Sequence, residues 1–342
     1  MAKHWNKIRL TLLTLGIIAL ILMIYQIGPG IIFNEIKSLG FALIIIFIPY
    51  LISYSFDTLG WRATLGENKN KLSFLNLFLS RCAGEAVNYI TPFAFVGGEP
   101  VKAYILKRFH IPLVQGLASV VIAKTTLVIS EIIFILMGLI LAVFKIEGSG
   151  PLLSVSLLLL LGGIIAIGLF FLAQKRGLFM GTLSQLERFK IKFQILKTRE
   201  EKIRSLDQAI SNFYNHDQKG FYQSITFSLF GWFAGAFEIY ALLYFLGIPI
   251  GISEAIIIEG IASIVKSAAF FIPGAIGAQE GGNLLIFAAF GLAASTGITF
   301  SLVRRIRELL LIGGGLLVLS KHEIKVSSQS PLSEKETSAA GV

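Results

Sequence analysis

Arg81, Glu85, Glu99 and Lys102 stand around Pro92 and the pair Gly97-Gly98 in the run SRCAGEAVNYITPFAFVGGEPVKAYILKR, Ser80 to Arg108. These types suit an ionic headgroup. A guanidinium holds phosphate through paired hydrogen bonds, an ammonium adds a point charge, and a carboxylate accepts an amine or a proton. Asn88 follows Glu85 by about one helical turn and adds an amide that can donate and accept. The same mixture recurs downstream as Lys124 and Glu131, then Lys266, Pro273, Gly277 and Glu280, and finally Arg304, Arg305 and Glu308.

What must position these groups is an apolar scaffold. The chain has 342 residues, 55% hydrophobic and 15% charged, with mean hydropathy +0.77. Runs long enough to cross a bilayer recur, so the fold class is an all-α polytopic membrane protein. A charge near the bilayer centre costs about 2.5–3.5 kcal/mol, so charges kept there mark a site. Proline removes a backbone donor and glycine loosens the chain, so the helix carrying Arg81 and Glu85 should break near Pro92. Broken helices with embedded charge are how secondary transporters build midplane sites. The formal charge of +10 suits cytoplasmic loops and anionic lipid headgroups and gives no reason to expect nucleic acid. The single cysteine, Cys82, excludes an intrachain disulfide, and the four histidines lack metal-ligand spacing. No P-loop, G-x-S-x-G or GxGxxG occurs, so we expect no metal, no cofactor and no ATP-driven pumping by this chain.

Along the chain, basic residues 3–9 precede the apolar run Leu10–Ile27, a signal anchor within residues 1–40 that leaves the N-terminus cytoplasmic. A span from about Phe41 opens a first membrane unit, 41–144. Within it the stretch from Ser73 to Thr91 is helical, and Arg81 and Glu85 at i, i+4 can pair. The break from Pro92 to Pro100 makes this element a re-entrant hairpin. A helix from about Pro112 to Phe144 then carries Lys124 and Glu131 two turns apart on one face. Residues 145–221 connect: Leu152–Ala173 is an uncharged span, and Gln174–Lys219 holds ten Lys/Arg against five Asp/Glu. Its helical apolar spacing predicts two amphipathic cytoplasmic helices at headgroup level, with a docking surface for a protein partner as the alternative. A second unit, 222–320, has a span with Glu238, a segment broken at Pro273-Gly274, and a last span from Thr299 to Ser320. Arg304, Arg305 and Arg307 read as a juxtamembrane phosphate-binding cluster, or else as a solvated helix end. Trp5, Trp61 and Trp232 read as interface anchors. Residues 321–342 form a disordered cytoplasmic tail. The total is about six full transmembrane helices plus two broken re-entrant hairpins.

Shifting the chain by 181 residues superimposes unusual features without a gap. Asp57 meets Glu238, Gly66 meets Gly247, Pro92 meets Pro273, Glu99 meets Glu280, Gly116 meets Gly297 and Lys124 meets Arg305. With an odd number of spans starting inside that offset, the second unit enters the membrane in the opposite sense. The expectation is two inverted-topology repeats whose hairpins dip from opposite faces.

The run R-x-x-G-E-x-x-N-x-x-x-P-x-x-x-x-G-G-E-P-x-K, Arg81 to Lys102, resembles the flippase-like family that includes the transmembrane region of lysylphosphatidylglycerol synthases. The run I-P-G-A-I-G-A-Q-E-G, Ile272 to Gly281, is similar to that family's second signature, with Ala275 where a second glycine is frequent. The resemblance spans about Leu10 to Ser320. It implies a multi-pass protein of the cell membrane that moves an anionic or headgroup-modified lipid between leaflets. Synthases of the family carry a soluble aminoacyltransferase domain after the membrane part; with about 22 residues after Ser320, lipid synthesis is not expected here. The alternatives are a membrane glycosyl or phosphoryl transferase acting on lipid-linked headgroups, using its carboxylates as bases, or an accessory subunit docking through residues 174–219. The oligomeric state stays open.

Overall fold

The computed structural model describes residues 18, 21–90, 97–145, 150–178, 180, 181, 200–269 and 272–321. These are helical throughout, apart from short turns, with no strand among them. Pro92, residues 1–17 of the expected signal anchor, the basic stretch 182–199 and the residues from 322 onward lie outside the described residues.

The order is α1 (Pro29–Leu39), α2 (Ala42–Ala63), α3 (Phe74–Ile90), α4 (Glu99–Leu106), α5 (Leu113–Lys145), α6 (Gly150–Arg176), α7 (Glu200–His216), α8 (Gln218–Phe245), α9 (Ile252–Ala268), α10 (Ala278–Ala289) and α11 (Ala294–Lys321). Three of the described helices, α2, α5 and α8, are long and apolar enough to cross a membrane. Local chemistry sets several ends. Pro29 and Pro100 sit in the first turns of α1 and α4, where the missing N–H has no partner to lose. The Asp217 side chain accepts from the Gly220 N–H and starts α8. Gly66 and Gly247 follow α2 and α8 with positive φ, a conformation cheap only for glycine.

Helices α2 and α8 form the central pair. They run antiparallel at backbone distance, because Gly60 faces Ser224 and Ser228 while Gly231 faces Ser53 and Asp57. Around them α3 packs on α11, and α9 packs on α5. The crossings again use glycine: Gly315 meets Cys82 and Ala86, and Gly138 meets Ile256 and Ile257. The main core collects Leu242, Ile258, Phe287 and Phe300 from α8, α9, α10 and α11.

Two sequence expectations need correction here. The last helix starts at Ala294, not Thr299, so Arg304, Arg305 and Arg307 lie well inside it, and Arg304 and Arg307 are buried, not solvated at an end. It stays continuous because carboxylates from α8, α9 and α10 meet those guanidiniums. The apolar face of α7 turns onto α5 and α6, burying Ile210, Phe213 and Tyr214 against protein, so this helix does not offer that face to headgroups.

Candidate functional site

The hairpin of α3 and α4 folds on itself because Gly84 and Gly98 carry no side chain: a Cβ on Gly98 would run into the Gly84 carbonyl. The Gly98 N–H donates to Asn88 Oδ1 at 2.6 Å, which ties the Gly97-Gly98 turn to α3. Lys102, 6% exposed, then donates from Nζ to Glu85 Oε1 at 2.6 Å and to both Glu99 oxygens at 3.1 Å. Asn88 Nδ2 bridges Glu85 and Glu99 at 3.2 and 3.3 Å. One buried ammonium therefore holds two carboxylates.

Arg81 does not take Glu85. It reaches across to Asp57 Oδ2 of α2 at 2.8 Å and lies over the Tyr54 ring. Residues four apart differ by about 40° around a helix, enough for neighbours on different sides to capture them.

In the second half, Arg304 Nε lies 3.3 Å from Glu238 Oε2, and its Nη2 donates to Glu259. Arg307 pairs with the other Glu238 oxygen and stacks on Tyr50. Arg305 Nε donates to Glu280 Oε1 at 2.8 Å and Nη1 to Glu308 Oε2 at 3.2 Å, with Lys266 Nζ 3.5 Å from the other Glu308 oxygen. The 3₁₀ turn Pro273–Ala275 and Gly277, at φ 83°, deliver the chain to α10. There Glu280, fully buried, caps the helix by accepting the Gly277 N–H at 2.7 Å. Glu99, its counterpart in the 181-residue shift, makes no such cap on α4.

Between the halves lies a cavity of about 470 Å³, in the size range of small-molecule sites. Its charged wall is Asp57, Glu131 and Glu259 with Lys124, Lys266, Arg304 and Arg307, one more cation than carboxylate. A chamber of about 30 Å³, room for about one water, adjoins it and is lined by Arg81, Glu85, Glu99 and Lys102, with Asp57 and Lys124 common to both. Four polar atoms of wall residues are buried without a hydrogen-bond partner: Gln279 Oε1, Trp232 Nε1 and the Nε of Arg304 and Arg307. Glu280, Arg305 and Glu308 are absent from that described wall and tie α10 to α11 behind it. No group of three His, Cys, Asp or Glu placed to hold a metal ion occurs among the described residues.

Asp57, Glu238, Glu259, Gln279 and Trp232 were not singled out from sequence as site residues. Asp57 and Glu238 carried a signal, since they coincide when the chain is shifted by 181 residues. Trp232 lines the cavity and stacks on Phe134, and Trp61 is buried with Nε1 on Ser119 Oγ at 3.2 Å. Neither is an interface anchor; Trp5 lies outside the described residues.

The family model for the lysylphosphatidylglycerol synthase TM region matches residues 8–314. The chain belongs to that family. It is also similar to a UPF0104 membrane protein of Methanothermobacter thermautotrophicus, 24% identical over 327 residues covering 89% of this chain and 91% of that one. No solved structure matches it. Family membership gives this chain a membrane location and a lipid-related role.

Proposed function

We propose that the protein is a transporter that moves a phospholipid or polyprenyl-phosphate lipid between leaflets, its headgroup passing through the cavity walled by α2, α5, α8, α9, α10 and α11, which the small chamber joins to the α3–α4 hairpin. The observation that carries this is the mixed-charge cavity, with Asp57, Glu131 and Glu259 facing Lys124, Lys266, Arg304 and Arg307 inside an apolar protein. Transport suits the wall better than catalysis: Asp57 is paired with Arg81 and Glu259 with Arg304, so two of the three carboxylates on the wall are already engaged in ion pairs.

The route requires two hairpins entering from opposite faces of the cell membrane, as inverted repeats. Support comes from structure at the superimposed positions. The paired helices α2 and α8 run antiparallel. His110 and Gly291, 181 apart, both adopt positive φ, as do Gly66 and Gly247. Gly116 packs on the Ala103 backbone as Gly297 packs on Leu284. The α3–α11 and α9–α5 contacts exchange under the same shift.

The topology is tested with single cysteines at exposed Asn70 and Ile252, in a Cys82→Ser background, labelled in intact cells and inverted vesicles. They should react from opposite faces. Labelling from one face would exclude the inverted arrangement and the route with it.

A further inference from the structure

The polar cavity has an apolar neighbour. A second space of about 550 Å³ lies where α5, α6 and α9 meet, and its described wall is apolar apart from Glu131 and Ser267. Each helix contributes one face, spaced by about a turn: Val128 and Ile132 from α5, Gly163 and Ala166 from α6, Ile264 from α9. Val128, Glu131 and Ser267 belong to both spaces. The hydrogen bond from Ser267 Oγ to Glu131 Oε1, 2.8 Å, is thus the sill between a charged chamber and a hydrocarbon-like one. That sequence of environments matches a lipid read from headgroup to tail.

We propose that one acyl chain of a glycerophospholipid lies in this groove while its headgroup occupies the polar cavity, and that Glu131–Ser267 is the latch its glycerol region crosses. The proposal rests on the lipid-transport reading and adds the side on which the lipid enters. The groove continues directly from the headgroup chamber, and the outer side of α6 exposes Leu158, Leu161, Ile165 and Leu169, as a lipid-facing helix does. Gly163 and Ala166 leave a smooth slot, and a Cβ on Gly163 would meet nothing within 4 Å. At the crossing of α3 with α11, related to that of α5 with α9 by the 181-residue shift, a Cβ on Gly315 would run into the Cys82 carbonyl and lie 2.8 Å from the Ala86 Cβ.

The test uses the full chain in phosphatidylcholine vesicles containing a trace of phosphatidic acid with a diazirine midway along one acyl chain. After irradiation, adducts are mapped by mass spectrometry. They should concentrate on the Gly163–Ala166 face of α6 and on Val128 to Ile135, about tenfold over outward Leu161 and Ile165. Ala166→Trp, or Gly163→Phe if the first variant does not fold, should lower the groove adducts at least fivefold. Binding of glycerol 3-phosphate to the headgroup chamber should stay unchanged in the same variant. Equal adducts on both faces of α6, or adducts indifferent to both substitutions, would overturn the groove. Crosslinking needs no leaflet exchange, so this result stands whether or not transport is observed.

Discussion

The α3–α4 and α9–α10 segments carry glutamates 181 residues apart, Glu99 and Glu280, and use them differently. Glu99 belongs to a network closed within its own hairpin, with Lys102, Glu85 and Asn88 all on α3 and α4. Glu280 is shared between a cap on α10 and Arg305 of α11, so its hairpin is fastened to the neighbouring helix. The glutamates of the first hairpin are thus stapled from within, and the hairpin reaches α2 through a different residue, Arg81, which pairs with Asp57. The second can shift only if the α11 ion pairs break or move with it.

Breaking the second network should cost most. Glu238 is the common partner of Arg304 and Arg307, 1% exposed, and Glu238→Gln leaves two buried guanidiniums short of charge. The expected loss is about 3–5 kcal/mol, read as a drop in thermal unfolding temperature in detergent. Glu280→Gln keeps an acceptor for the Gly277 N–H but loses the charge facing Arg305; about 3 kcal/mol should go. Gly98→Ala, which drives a methyl into the Gly84 backbone, should cost about 1–3 kcal/mol and loosen the first hairpin selectively. Glu99→Gln should cost about 1 kcal/mol, since Glu85 still holds Lys102. If Glu99→Gln proves as damaging as Glu280→Gln, the contrast between the hairpins is wrong. Lys145→Ala removes a half-exposed pair with Glu254 and should change stability by about 0–1 kcal/mol.

Much of this architecture was legible in sequence, because it rests on patterns along one chain. Pro273 and Gly97-Gly98 announced breaks, the apolar runs announced α2, α5 and α8, and charge inside apolar sequence pointed to residues that gather around the cavity. What stayed hidden was which neighbour each charge would meet. Arg81 and Glu85 share a helix face on paper, yet α2 supplies Asp57 to one and α4 supplies Lys102 to the other. Arg304 and Arg307 looked terminal because three arginines so close are rarely buried; the three-dimensional answer is Glu238 and Glu259, 45 or more residues away. Trp232 was ambiguous for a different reason: an indole suits an interface and a cavity wall equally well.

The central claim is that a lipid headgroup crosses through the mixed-charge cavity. Leaflet exchange of labelled anionic phospholipids and polyprenyl-phosphate lipids, measured in liposomes holding the purified protein, tests it most directly. The account predicts accelerated exchange for at least one of these lipids. It also predicts at least a tenfold loss on Lys266→Met, which removes a cation from the cavity wall, with folded protein retained in the membrane. No acceleration for any of these lipids, or exchange indifferent to Lys266→Met, would contradict it.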